Sequence, residues 1–173
     1  MNAVALNETV LKHSRPEVEA WLAEFVERHG GLVGSVHLCG PAAEGEIVLV
    51  AAHNLPPSVV NGAAVVVVGK GMAGVTAERR APIGISDLQT DTSGVARPPA
   101  RASQAKGSVT LPVHAPDDPT KLVAVVGLGF AETKEFTDEE IAKYTRAASY
   151  PPLRAHETGQ KLVWPFSVRK KKK

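Results

Sequence analysis

The chain has 173 residues, enough for one domain that buries a core without disulfide or metal support. Its 20 basic and 18 acidic side chains leave a formal net charge of +2, which excludes the strong basic field of a typical nucleic-acid-binding domain. Cys39 is the single cysteine, so an intramolecular disulfide, a cysteine-based zinc site and a redox pair within one chain are excluded.

The sequence shows no targeting segment and no membrane span. Residues 1–10 contain no basic patch followed by an apolar core, and no apolar run approaches the roughly 20 residues that a spanning helix needs. Together with the lone cysteine, this composition favours a reducing compartment. We therefore expect a cytoplasmic protein.

The first half of the chain predicts one helix and a hairpin. Ser14 and Pro16 are typical of a helix start, and apolar residues follow at helical spacing up to the glycines at 30–31. The β-branched, apolar stretches 32–39 and 46–53 are bounded by turn residues and predict two paired strands.

Shorter elements follow. The wholly apolar run 63–68 is typical of a strand buried on both faces, although a helical piece fits the pattern too. Residues 72–80 predict a short helix and 82–85 a short strand. The segment 88–105 is rich in Pro, Ser, Thr and Ala, and an irregular segment of this length within one domain predicts a lid or a binding loop.

The second half predicts another hairpin and a closing helix. Strands are expected over 108–113 and 121–130, joined by the turn residues of 115–120. Thr137 and Glu140 form a capping-box pattern that opens a helix extending to about Ser149.

In this order and spacing, five short motifs resemble a GAF domain over 16–149. They are Gly69-Lys70-Gly71-Met72-Ala73-Gly74, Pro82-Ile83-Gly84-Ile85-Ser86-Asp87-Leu88, Ser108-Val109-Thr110-Leu111-Pro112-Val113, Val126-Gly127-Leu128-Gly129-Phe130 and Phe136-Thr137-Asp138-Glu139-Glu140. Residues 1–15 would be an N-terminal segment, and 150–173 a loosely structured basic tail.

The resemblance implies an α/β (α+β) fold of the GAF/PAS-like kind. Such a fold has a central antiparallel sheet, terminal helices on one face, and a small-molecule pocket on the other face under the 88–105 loop. It also implies a homodimer formed through the terminal helices. The aromatic side chains of Trp21 and Phe25 would either be shared with the partner or cover the chain's own sheet.

A nucleotide-binding alternative comes from Gly69, Gly71 and Gly74, which match a dinucleotide-binding glycine pattern, with Asp87 where a ribose-binding acid would lie. Only about two helical turns separate Gly74 from the next strand, too few for the crossover helix of a parallel unit. The two hairpins also favour antiparallel pairing. We therefore expect these glycines to form a turn.

The sequence contains no catalytic pattern, and we expect no enzymatic activity. The six histidines form no metal-binding pair, so neither a metal nor a haem is expected. His37 and Cys39 share one face of a strand and are interpreted as core residues. The 88–105 loop lacks the cysteines that free methionine sulfoxide reductases and covalent bilin photoreceptors of this fold use, and the cyclic-nucleotide signature is absent. The ligand stays unassigned.

The predicted ligand-binding residues lie in the loop and beside it. Arg97 and Arg101 offer guanidinium donors for a small polar or anionic ligand, unless they are solvated or pair with Asp87 and Asp91. Gly127 and Gly129 of the last strand would leave space for this ligand beneath the loop. The full set is Asp87, Asp91, Thr92, Arg97, Arg101, Ser103, Ser108, Gly127 and Gly129.

The sequence therefore predicts a sensory domain that binds a small molecule and signals through a ligand-induced change at a dimer interface. The alternative from another class is a ligand-free scaffold or protein-interaction module with the same fold, and nucleotide binding is a further alternative. The basic end, Arg169-Lys170-Lys171-Lys172-Lys173, is either a solvated tail or a contact for nucleic acid or an acidic surface.

Overall fold

The computed structural model describes residues 5–39, 45–93, 95 and 103–149. Its helices and strands, in chain order, are α1 (Glu8–His13), α2 (Pro16–Arg28), β1 (Val33–Cys39), β2 (Glu46–His53), α3 (Pro57–Gly62), β3 (Val65–Val67), α4 (Gly71–Arg79), β4 (Ile83–Ile85), β5 (Ser108–Ala115), β6 (Asp118–Gly129) and α5 (Asp138–Ala148). The predicted tail, 150–173, lies outside the described residues.

The strands form one six-stranded sheet in the order β3-β2-β1-β6-β5-β4, and every neighbouring pair is antiparallel. The first and last long strands meet at the centre, where Ser35 of β1 is opposite Gly127 of β6. The predicted α+β fold with a central antiparallel sheet is confirmed.

Helices α2 and α5 cover one face of this sheet. Leu22, Phe25 and Val26 of α2 are buried against strand residues such as Val36, and Tyr144 of α5 belongs to the same core cluster. Because a helix presents the same face every three to four residues, the apolar stripe of α2 predicts this packing correctly. The ring of Trp21 stacks on that of Phe25, with 5.0 Å between centroids.

Helices α3 and α4 lie over the opposite face. Ala77 of α4 packs with Ile47 and Val125 of the sheet, and Val60 of α3 packs with Leu49. Alternation along the strands therefore gives the sheet two apolar faces. No helix of the described residues is long and apolar enough to cross a membrane.

Three local features differ from the sequence-based expectation. Helices α1 and α3 were not predicted, since each is a single six-residue segment. The run 63–68 forms only three strand residues, and Val65 and Val67 are 41% and 45% exposed, because β3 is an edge strand that pairs only with β2. The β5–β6 connection is a tight turn at 116–117, shorter than the expected turn over 115–120.

The glycine-rich turn before α4 is structural and does not form a parallel nucleotide-binding unit. Strands β3 and β4, which flank α4, are at opposite edges of the sheet. Gly69 and Gly71 have φ of 96° and 73°, where glycine is favoured. A Cβ on Gly74 would overlap the carbonyl oxygen of Val67, so these three positions need glycine for the turn and for close packing.

Candidate ligand-binding cavity

A cavity of about 520 Å³ lies on the face of the sheet opposite α2 and α5. Strands β1, β5 and β6 form its floor, and α3, β3 and the start of α4 form its sides. Most of the described wall is apolar. Its larger apolar residues are Val33, Leu49, Leu55, Val59, Val65, Val66, Val67, Met72, Leu88 and Leu128.

Two glycines of β6 lie in the floor of the cavity. A Cβ on Gly127 would lie 2.7 Å from Oγ of Ser35, and one on Gly129 would lie 2.7 Å from Cγ2 of Val33 and 2.9 Å from Cβ of Ala105. All five residues line the cavity. Side chains at the two glycine positions would therefore occupy space that their neighbours use.

Polar side chains are few in this wall. The hydroxyls of Thr110 on β5 and Thr76 on α4 lie 2.5 Å apart, and the Thr110 hydroxyl donates to the carbonyl oxygen of Met72 at 3.4 Å. Ser108, two residues earlier on the same face of β5, is 9% exposed. Its hydroxyl forms no hydrogen bond with any described residue.

His37 is the buried imidazole of the wall, with 3% of its surface exposed. Its Nε2 donates to the carbonyl oxygen of Ala63 at 2.8 Å, whereas its Nδ1 is buried without a hydrogen-bond partner. Burial lowers the pKa of His37 to about 4, although the bond to Ala63 acts in the opposite direction. The ring is therefore neutral near pH 7.

The N-terminus of α4 is part of the same wall. Gly71, Met72 and Ala73 line the cavity, and their N–H groups precede the first intrahelical hydrogen bond. Lys70, the N-cap residue, makes no capping bond, and the first turn contains no acidic side chain. The dipole of α4 therefore contributes a positive potential at this end of the cavity.

Four of the nine predicted ligand residues lie in the cavity wall: Ser103, Ser108, Gly127 and Gly129. The loop that was expected to cover the pocket contributes Leu88 near its start, and Ser103 and Ala105 near its end. These ends are joined, since the N–H of Leu88 donates to the carbonyl oxygen of Lys106 at 2.8 Å. The described ends of the loop therefore lie at the cavity, and its role as a lid stays a prediction.

The other five predicted residues lie elsewhere. Asp87 accepts from the N–H of Gln89, and Asp91 accepts from Ser93, so both carboxylates stabilise turns outside the cavity wall. Thr92 is exposed and is not part of that wall. Arg97 and Arg101 lie outside the described residues.

Most residues of the wall were not assigned to a ligand site from the sequence, among them Ser35, His37, Lys70 and Met72. The two-residue alternation of β1 places Ser35 and His37 on one face, but it does not say whether that face is filled or open. Lys70 was noted only as part of the glycine turn. The sequence shows both the alternation of β1 and the glycine turn, but only the packing of α3 and α4 over the sheet reveals that these residues line a cavity.

Cys39 is further along the same face of β1 but is not in the cavity wall. Burial raises the pKa of its thiol to about 11, against a smaller opposite effect of Arg80. The described residues contain no group of three or more His, Cys, Asp or Glu side chains placed to hold a metal ion.

No family model and no curated protein matches the sequence. Solved structures do match. The chain is similar to the GAF domain of a phosphoenolpyruvate-protein phosphotransferase from Coxiella burnetii, with a TM-score of 0.61 and 22% identity, over 87% of this chain and 92% of that chain. It is also similar to the second GAF domain of DevS from Mycobacterium smegmatis, with a TM-score of 0.52 and 21% identity, over 75% and 86%.

A third similar structure is an enzyme, the type II free methionine-R-sulfoxide reductase from Thermoplasma acidophilum. It has a TM-score of 0.58 and 12% identity, over 76% of this chain and 84% of that chain. At these identities the similarity shows the fold alone, and that fold carries both non-catalytic domains and enzymes.

Proposed function

We propose that this chain, which has the fold of a GAF domain, is a cytoplasmic sensory or regulatory module that binds a small molecule in the cavity above β1, β5 and β6. Binding changes the contacts of α2 and α5 at a homodimer interface and so transmits the signal. The observation that carries the proposal is the cavity itself.

The size and the lining of the cavity support ligand binding. A volume of about 520 Å³ is within the range of small-molecule sites, which are mostly apolar and contain a few placed polar groups. A ligand-free scaffold gains stability when side chains fill such a space, since empty apolar cavities are destabilising. Here Gly127 and Gly129 contribute no side chain to the floor of the cavity.

The sheet also offers a route from the cavity to the helices. In β1, Ser35 and His37 line the cavity, while Val36 packs in the core cluster that contains α2. Gly34 is so close to α2 that an added Cβ would lie 2.6 Å from Cγ2 of Val26. A small displacement of β1 by a ligand would therefore move α2, because packed cores transmit strain.

We infer binding without turnover. The chain's one cysteine is outside the cavity wall, and its raised pKa keeps the thiol protonated near pH 7, which makes it a poor nucleophile. The described wall contains no carboxylate to act as a general base. His37 donates its proton to a backbone carbonyl, which fixes the ring in a structural role.

Native mass spectrometry of the protein purified from its natural host tests ligand binding. We expect an extra mass of a small molecule, and we expect Ser35→Leu to lose it, since the larger side chain enters the cavity. Ser58→Leu is the matched control, because Ser58 is exposed on α3 outside the cavity wall and should leave the extra mass unchanged. A bare protein in both the natural and the control chain would contradict the proposal.

The signalling part needs a separate measurement. Analytical ultracentrifugation should show a dimer whose dissociation constant changes when the retained molecule is removed by unfolding and refolding. An unchanged constant, or a monomer at every concentration, would contradict the dimer mechanism but leave ligand binding intact.

A further inference from the structure

The described cavity wall contains one charged side chain, the ammonium group of Lys70, and no carboxylate. Lys70 is exposed at the rim, so its long side chain is free to reach toward a ligand. A cationic ligand would meet no counter-charge in this wall. The electrostatics therefore favour neutral or anionic occupants.

The direction of α4 places its electropositive end over the floor of the cavity. Met72 and Thr76, one turn apart on α4, both contact the hydroxyl of Thr110 on β5. At the other end of the helix, Arg80 donates to the carbonyl oxygen of Thr120, beside the β5–β6 turn. Helix α4 thus runs toward that turn, and its N-terminus is directed toward the start of β5.

Ser108 is the first residue of β5, and Thr110 follows two positions later, about 7 Å along the strand. The two side chains therefore point to the same face of the sheet. Ser108 is 9% exposed, lines the cavity and forms no hydrogen bond to a described residue. The Ser108 hydroxyl is reachable from the cavity and has no protein partner among the described residues, so it is available to donate a hydrogen bond to an acceptor on a ligand. This observation does not depend on the helix N-terminus, and it indicates the same end of the cavity as the binding position.

We propose that the cavity binds a small organic monoanion, a carboxylic acid with an apolar body. Its carboxylate accepts hydrogen bonds from the first-turn N–H groups of α4 and from Ser108, and it pairs with Lys70. Its apolar body lies against side chains such as Leu55 and Val59. The single lysine charge and the partial positive charge of the helix end, about +0.5, both attract the negative charge of the carboxylate. This assignment rests on the proposed function.

Three probes of equal chain length and different charge test it at pH 7: hexanoate, 1-hexanol and hexylammonium. Each is titrated into the ¹⁵N-labelled full chain while the amide signals of Gly71, Met72 and Gly129 are followed. We expect hexanoate to bind about tenfold more tightly than 1-hexanol, from the combined effect of the helix end and one lysine. Hexylammonium should bind more weakly than 1-hexanol.

A variant that reverses the charge of Lys70 provides a second test of the site. Lys70→Glu should reverse the order, so that hexylammonium binds more tightly than hexanoate, while 1-hexanol keeps its affinity. Lys121→Glu is the matched control, since Lys121 is an exposed lysine of β6 outside the cavity wall, and it should keep the natural order. Ser108→Ala, which removes one hydroxyl, should weaken hexanoate several-fold and leave 1-hexanol unchanged.

The outcomes separate this assignment from the proposed function. Equal affinities for hexanoate and 1-hexanol, each shifting the cavity signals, would overturn the anion site and leave a ligand-binding cavity. If none of the probes shifted these signals, the carboxylate assignment would fail, whereas the proposed function would still be decided by the retained mass in native mass spectrometry. The site would also be overturned if Lys70→Glu and Lys121→Glu changed the order of the three probe affinities in the same way. The preference would then reflect only the net charge of the protein.

Discussion

Nε2 of His37 donates a hydrogen bond to the carbonyl oxygen of Ala63, 2.8 Å away, and so joins the middle of β1 to the end of α3 within the cavity wall. A carbonyl oxygen only accepts, so the neutral ring carries its proton on Nε2. The other nitrogen is buried and has no partner among the described residues. The wall thus depends on a histidine that stays neutral.

The first prediction concerns acid stability. The pKa of His37 is lowered from 6.5 to about 4 by burial, so the unfolded chain binds more protons than the folded chain between these values. The free energy of unfolding should therefore fall as the pH is lowered from about 6.5 toward 4, by about 2–3 kcal/mol. Urea unfolding monitored by circular dichroism, at several pH values, measures this slope.

His37→Gln supplies the comparison. Burial also lowers the pKa of His29, with help from Lys143 and Arg28, so part of the slope should persist in the variant. We expect the difference between the two chains to shrink as the pH falls. If the free energy of unfolding of the two chains changed with pH at the same slope, His37 would be protonated equally in the folded and unfolded states. That result would contradict the buried neutral ring.

The second prediction concerns the buried hydroxyl pair that fixes α4 on the sheet. Thr76 and Thr110 are 0% and 5% exposed, and their hydroxyl oxygens are 2.5 Å apart. Thr76→Val should lower the free energy of unfolding by about 1–3 kcal/mol, because it leaves a buried partner less satisfied. Thr110→Val should cost a similar amount.

A double-mutant cycle distinguishes this pair from simple packing. The double variant should lose less stability than the two single variants added together, since the interaction is lost once. Thermal and urea unfolding of the four chains give the coupling. A coupling near zero would contradict the hydrogen bond.

The sequence predicts the long elements well and the short ones poorly, for a physical reason. Helix α2 has more than three turns and an apolar stripe, so its pattern is repeated often enough to be recognised. Helices α1 and α3 have six residues each and are held by contacts far along the chain, such as the one between the N–H of Asn7 and the side chain of Asn61. Local patterns do not contain such contacts.

Strand β3 shows a second limit. An apolar run predicts a strand, but only the strand order says that it is an edge with Val65 and Val67 exposed. The cavity wall has the same limit. Gly127 and Gly129 suggested open space from their lack of side chains, whereas Lys70 and Met72 join the wall only because α4 crosses from one edge of the sheet to the other.

The third prediction concerns the start of α5. The Thr137 hydroxyl accepts from the N–H of Glu140 at 3.1 Å, and the Glu140 carboxylate accepts from the N–H of Thr137 at 3.3 Å, which completes the capping box. Thr137→Ala should lower the free energy of unfolding by about 1 kcal/mol. Thr133→Ala is the control, because Thr133 is an exposed residue before the helix. Equal urea midpoints for the two variants would contradict a stabilising cap.

The last prediction concerns the two floor glycines, whose replacement should have unequal costs. A Cβ on Gly129 would meet Cγ2 of Val33 and Cβ of Ala105 within 3 Å, and neither atom has a rotamer that withdraws it easily. A Cβ on Gly127 would meet mainly Oγ of Ser35, which rotates away at little cost.

Gly129→Ala should therefore lower the free energy of unfolding by about 1–3 kcal/mol, as overpacking does, and Gly127→Ala by clearly less. Adding Ser35→Ala should restore the stability of the Gly127→Ala chain and leave the Gly129→Ala chain unchanged, because only the first contact involves that hydroxyl. Urea unfolding of the five chains measures both effects. If both glycine variants lost equal stability and Ser35→Ala rescued neither, the contact with the Ser35 hydroxyl would not be the cause of the loss at Gly127.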